Sequence, residues 1–189
     1  MNKDFFCQKA GCGGGATGAG RMNDGSLARD PCLRDLRDPR LLLAFGFGSG
    51  LSPRGPGTAG TVVGVGAYAL LAMLPLPLYA AVTLLVIVLG VPLCGFAARR
   101  LGQHDHGAIV WDEIAGLLVT MLGAPPHLLW GLAGFGLFRL LDIAKPWPIS
   151  WLDRNLAGGL GIMADDVLAG AAACALLWLL RATLHGVGA

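Results

Sequence analysis

A chain of 189 residues has room for one domain and a tail, not for two full domains. Hydrophobic residues make up 54% and charged residues only 14%, against about 25% charged in an ordinary soluble domain, so the composition points to a membrane or a very apolar bundle. A formal net charge of +2 with 7% aromatic residues supplies neither the basic surface nor the stacking platform that nucleic acid requires.

Residues 1–40 mix seven basic with five acidic side chains around a Gly-rich patch, Gly11 to Gly20, and show no apolar periodicity. They read as a disordered N-terminal extension. No basic run is followed by an apolar run and a small-residue cleavage site, so no cleaved signal peptide is expected. The domain, residues 41–189, begins where the composition turns abruptly apolar, and Leu41 to Phe47 fits a short helix. Gly46 to Thr61 is too rich in Gly and Pro for a regular element and is expected to be an irregular, ordered loop. Its backbone N–H groups, with Ser49, Ser52 and Thr58, are a candidate anion nest at a helix start. Close packing of helices at small residues accounts for the same composition. Gly55, Gly57 and Gly60 formally spell GxGxxG, but no strand precedes them, which removes the dinucleotide reading.

From Gly55 to Ala98 there is no charged residue. Crossing a hydrocarbon layer takes about 20 helical residues, and Tyr79 to Ala98 is the best span, with Pro92 inside it. Thr61 to Leu74 is shorter and is stopped by Pro75 and Pro77. Val167 to Leu180 closes the domain, with Arg181 at headgroup level. Ile114 to Phe138 contains Pro125 and Pro126 at its middle, which end or kink a helix. Each half reaches only about 15 to 20 Å of a core about 30 Å thick, so a hairpin is expected, returning the flanking polar segments to one side.

Those polar segments carry the chemistry. All seven acidic residues past residue 40 lie between Asp105 and Asp166: Asp105, Asp112, Glu113, Asp142, Asp153, Asp165 and Asp166. In so apolar a chain, charges are costly unless paired, bound to metal or used in catalysis. Asp105 and Asp112 are seven apart and share a helix face if Gly107 does not break the helix. Clustered carboxylates suit a hard cation such as Mg²⁺, which often holds a phosphate as well. Arg139 and Lys145 are the cations placed to neutralise phosphate oxygens.

His104 and His106 flank Asp105, and one of them, His106, is a candidate general acid or phosphate contact. Two histidines two apart face opposite ways on a helix, so zinc would need a loop there. The five cysteines, Cys7, Cys12, Cys32, Cys94 and Cys174, show no metal-ligand spacing and are read as reduced and structural. Cys94 and Arg100 have the Cys-x5-Arg spacing of cysteine phosphatases, but Cys94 sits at the end of an apolar helix with no activating setting. A small transporter or channel is the rival from another class, because carboxylates within a membrane also mark ion paths.

Three strings, Gly46 to Gly60 (GFGSGLSPRGPGTAG), His104 to Gly116 (HDHGAIVWDEIAG) and Phe138 to Asp166 (FRLLDIAKPWPISWLDRNLAGGLGIMADD), resemble the phosphatidylglycerophosphatase A family. The likeness runs from Leu41 to roughly Leu184. It implies an all-α, compact multihelical bundle embedded in a bacterial inner membrane, with Mg²⁺-dependent hydrolysis of phosphatidylglycerophosphate. Together, residues and resemblance assign Asp105, Asp112, Glu113 and His106 to catalysis. They assign Arg139, Lys145, Ser49 and Thr58 to the substrate, and Asp112, Glu113, Asp142, Asp165 and Asp166 to the metal. The active site is expected on the cytoplasmic side; oligomeric state is left open.

Overall fold

The computed structural model describes residues 29–186. Most of the expected disordered extension, residues 1–28 with Cys7 and Cys12, lies outside the described residues. Residues 29–40 precede the expected domain start, yet they contact the domain. The Arg29 backbone N–H donates to the Leu101 carbonyl at 3.0 Å, its guanidinium holds Asp35 at 2.8 and 3.0 Å, and Leu36 packs on the core. Residues 29–40 therefore pack against the domain that follows them.

Among the described residues the regular elements are all helical. In chain order they are α1 (Pro39–Ala44), α2 (Pro56–Leu71), α3 (Leu76–Leu101), α4 (Trp111–Thr120), α5 (Leu128–Ala144), α6 (Ile149–Asn155) and α7 (Gly158–Gly186), with 3-10 turns at Asp35–Arg37 and Gly46–Leu51. The stop signals act as their chemistry dictates. Asp38 accepts the Arg40 N–H at 2.9 Å and caps α1, with Pro39 at its first position. Gly102, at φ 69°, ends α3. Pro125 and Pro126 separate α4 from α5, and His127 caps α5 by accepting the Leu129 N–H.

The Gly-rich segment is irregular only as far as Gly55. Phe47 and Gly48 break the 3-10 turn with positive φ, but α2 begins at Pro56, because proline is pre-set for the first helical position. The last helix also starts earlier than Val167, at Gly158, so Asp165 and Asp166 stand on α7 and not in a connecting segment. The glycines there do not break the helix, because they serve as contact points. A Cβ on Gly159 would lie 1.9 Å from the Val91 carbonyl oxygen of α3.

Helix α4 is the centre of the bundle and packs against α2, α3, α5 and α7. Its residues Ile114, Ala115, Leu117, Leu118 and Thr120 are buried. Phe138 of α5 fills the space over Gly116 and is fully buried; truncating such a side chain to Ala costs about 3–5 kcal/mol. Gly116 meets Phe138 while Met121 meets Gly134, so α4 and α5 run antiparallel and form the expected hairpin. Gly170 of α7 abuts the Gly116 carbonyl, which a Cβ would approach to 2.3 Å. That contact without side chains draws α7 close to α4.

Helices α3 and α7 are long and apolar enough to cross a membrane, with only 28% and 22% of their most apolar stretches buried inside the protein. A core helix of a soluble protein would be mostly buried. Instead Leu84, Leu85, Val88 and Leu89 of α3 and Leu179 of α7 face outward, an apolar exposure that suits a helix packed against lipid or another apolar partner.

Candidate active site

The site begins with α4. The Trp111 indole N–H donates to the Val86 carbonyl of α3 at 3.0 Å, and the Val110 N–H donates to the Ala44 carbonyl at 2.9 Å. Those two anchors set the first turn of α4 against the bundle interior, with Asp112 and Glu113 directed inward. The Glu113 N–H donates to Asp112 Oδ1 at 3.0 Å. Across the α4–α7 contact stands Asp166, and one carboxylate oxygen from each of Asp112, Glu113 and Asp166 lies within 4.8 Å of the others.

Asp112 and Asp166 are 6% and 5% exposed, and Glu113 Oε2 is buried with no hydrogen-bond partner. Burial, then the Glu113 charge beside it, pushes the Asp112 carboxyl well above the usual carboxylate range. Burial and then the Asp166 charge push Glu113 up to about 8. Three carboxylates packed this tightly repel one another unless protons or a cation offset their charge.

Two cations border the acids. Arg139, near the end of α5, pairs with Asp142 and lies 3.9 Å from Glu113 Oε1, while its Nε is buried without a partner. Lys145, which ends α5 in the left-handed region, puts its Nζ 2.7 Å from both Asp153 Oδ1 and Asp165 Oδ2. These neighbours hold the Lys145 ammonium charged, above its ordinary range, against the opposing effect of burial. Gly57 of α2 completes the wall: a Cβ there would meet Glu113 Oε1 at 2.2 Å and Arg139 Nη1 at 3.3 Å. The first N–H groups of α2 start beside this pair, with no side chain capping them.

The expected site residues divide accordingly. Asp112, Glu113 and Asp166 converge, Arg139 and Asp142 adjoin them, and Asp165 joins through Lys145. Asp105 does not share a helix face with Asp112, because α3 ends at Gly102 and residues 102–110 form a loop. It is exposed, although its charge still raises the Asp112 carboxyl. His106 is half-buried; its Nδ1 accepts the Ala108 N–H at 3.1 Å and shapes that loop. Burial lowers its imidazole below the usual value. His104 Nε2 accepts the Gly158 N–H at 2.6 Å and tethers the loop to the start of α7.

Ser49 donates to the Gly46 carbonyl at 2.8 Å and closes its own turn, so its hydroxyl is spent on the backbone. Thr58 is exposed in the first turn of α2. Asp153 and Gly57 are contributors to which the sequence assigned no role in the site. Asp153 is found only once the turn after Lys145 is known; Gly57 lay in the segment whose glycines suggested close packing. Cys94 is buried with its sulfur 3.8 Å from Met163 Sδ, and Arg100 is exposed. The two lie along one helix and build no phosphate loop.

Among the described residues, fold and site define a helical protein with two helices of membrane-spanning length and a buried carboxylate centre bordered by two cations. A family model described as phosphatidylglycerophosphatase A matches residues 42–181. Phosphatidylglycerophosphatase A of Escherichia coli K12 is 47% identical over 146 residues, covering 77% of this chain and 85% of the relative. Phosphatidylglycerophosphatase A of Haemophilus influenzae is 48% identical over 140 residues, covering 71% and 83%. No solved structure matches. The chain belongs to the phosphatidylglycerophosphatase A family, and it is an enzyme, a phosphatase, which sets aside the transporter alternative.

Proposed function

We propose that this chain hydrolyses phosphatidylglycerophosphate to phosphatidylglycerol and inorganic phosphate, with Mg²⁺, in a bacterial inner membrane and with its site facing the cytoplasm. The observation that carries the reading is the convergence of Asp112, Glu113 and Asp166, with Glu113 Oε2 buried and without a hydrogen-bond partner among the described residues. An all-oxygen donor set of this kind fits a hard cation, not zinc. Asp112, Glu113 and Asp166 would hold the ion, and Asp142, paired to Arg139, would stand behind it. When bound, Mg²⁺ supplies positive charge to the phosphoryl oxygens and makes water a stronger acid.

The chain's own groups do the rest. Arg139, between Glu113 and Asp142, meets the phosphate with a planar fork suited to two of its oxygens. The uncapped start of α2 at Gly57 and Thr58 offers backbone N–H groups to the same anion. Lys145 stays bound to Asp153 and Asp165; its role is to hold Asp165 and the first turns of α7 in place, in preference to direct phosphate contact. Water attacks phosphorus, the phosphorus–oxygen bond to the glycerol breaks, the water proton passes to a carboxylate of the centre, and the glycerol oxygen takes up a proton.

Membrane depth supports a lipid substrate. From Gly158 to Trp178 α7 advances about 30 Å, the thickness of the hydrocarbon, and the exposed Trp147, Trp151 and Trp178 lie toward its two ends, as interfacial tryptophans do. Asp166 sits about 12 Å along α7 from its start, in the half of the helix nearer the headgroup level at that end. Exposed Arg34, Arg37, Arg40, Arg99 and Arg100 gather at that same end, which supports a cytoplasmic orientation. The test is phosphate release by the purified full chain from phosphatidylglycerophosphate and from phosphatidic acid. Preferential release from the former is expected; release from phosphatidic acid alone would overturn the assignment.

A further inference from the structure

The end of the bundle that holds the acidic centre also carries arginines for which the reaction has no use. Arg34, Arg37, Arg40 and Arg100 line an open cleft of about 540 Å³, together with Asp35 and Asp38. Both aspartates are engaged: Asp35 holds the Arg29 guanidinium and the Cys32 N–H, and Asp38 caps α1. Arg40 lies over the Phe96 ring at 5.2 Å. Among the described residues no ion pair involves Arg34, Arg37, Arg99 or Arg100.

We propose that this arginine-lined cleft is a docking surface for the headgroups of anionic phospholipids, distinct from the acidic centre. Depth decides the partner. The uncharged stretch of α3 ends at Ala98 and Arg99 follows at once, so a membrane-crossing α3 holds the cleft at the level of the headgroups. This step rests on the reading that α3 spans the bilayer. Charge agrees: of the residues lining the cleft, four arginines, at 34, 37, 40 and 100, stand against two aspartates, at 35 and 38, a surplus of two positive charges. Guanidinium forks match phosphate oxygens, and basic clusters beside a span bind acidic leaflets. The cleft is open and is shared by the turn Asp35–Arg37, α1 and the end of α3, which suits a field of headgroups better than one enclosed small molecule.

The test is amide hydrogen exchange of the full chain in nanodiscs of phosphatidylcholine alone, or with about 30% phosphatidylserine, a lipid whose charge supplies the attraction. Segments 31–42 and 99–104 are expected to exchange about fivefold more slowly in the acidic discs. The slowing should vanish at about 0.5 M NaCl, where screening is strong, and in the combined variant Arg34→Gln, Arg37→Gln and Arg100→Gln. Equal exchange in both discs, or slowing that survives both salt and the substitutions, would overturn the proposal. Equal slowing by inorganic phosphate in phosphatidylcholine discs would overturn the lipid assignment in favour of a soluble anion. Fast exchange of residues 80–95 in every disc would show that α3 does not cross the bilayer, and would overturn the proposal at the step that sets the cleft at headgroup level.

Discussion

Arg139 Nη1 of α5 lies 3.9 Å from Glu113 Oε1 of α4, and this contact fixes the topology of everything between them. The chain leaves Glu113, turns at Pro125–Pro126 and comes back. At about 1.5 Å per residue α4 and α5 reach about 15 and 26 Å, each short of the hydrocarbon thickness. Cysteines placed at exposed Gly107 and Asn155, in a background without native cysteines, should both be labelled from one side of sealed vesicles. Labelling from opposite sides would dismantle the composite site.

The acidic centre makes stability depend on pH in a stated direction. Glu113 is raised from 4.5 to about 8 in the folded protein, so the folded state holds this proton more tightly than the unfolded chain. Its contribution is full below about pH 4.5 and is lost as pH rises through about 8. In the presence of a chelator, the melting temperature should fall over that window. Glu113→Gln should flatten the fall, and an unchanged slope in that variant would show that the repulsion lies elsewhere.

Lys145 joins Asp153 and Asp165, whose side chains are 37% and 8% exposed. Removing the ammonium leaves Asp165 buried with Oδ1 already unpartnered. Lys145→Ala should therefore destabilise by about 2 kcal/mol, between the values for exposed and buried pairs. Adding Asp165→Asn should recover part of that loss in a thermal melt; strictly additive losses would mean that the two do not interact.

Gly57 admits no side chain beside Glu113. Gly57→Ala would set a methyl 2.2 Å from Glu113 Oε1, so the carboxylate must move. Turnover should fall about tenfold or more, as displacement of a positioned group does, with a normal melting profile. Wild-type turnover would mean that Glu113 is free to shift without consequence.

Much of the candidate site was legible because charge is costly in an apolar chain. Asp112, Glu113, Arg139 and Asp166 stood out, and two adjacent prolines marked the hairpin. What the sequence could not convey was pairing across space. Lys145 looked free for phosphate, yet Asp153 and Asp165 occupy it, a fact that depends on the turn from Lys145 to Pro148. Asp105 looked co-facial with Asp112 only on an unbroken helix, and Gly102 ends that helix. Asp165 and Asp166 seemed to lie in a connection, because the last apolar run begins only at Val167; α7 starts earlier, and Gly159 and Gly161 in its first turn lie against the carbonyls of Val91 and Leu156. Ser49 looked like an anion ligand until the backbone claimed its hydroxyl.

The proposed reaction requires a Mg²⁺ ion held by Asp112, Glu113 and Asp166. The measurement that bears on it most directly is phosphate release from phosphatidylglycerophosphate by the chelator-treated full chain, titrated with Mg²⁺, in the wild type and in Asp112→Asn and Asp166→Asn. The wild type should be inactive without metal and recover fully with Mg²⁺. Each variant should stay at least about 10²-fold slower at saturating Mg²⁺, while keeping a cooperative melt. Full activity of the chelated wild type, or wild-type turnover in both variants, would contradict the account.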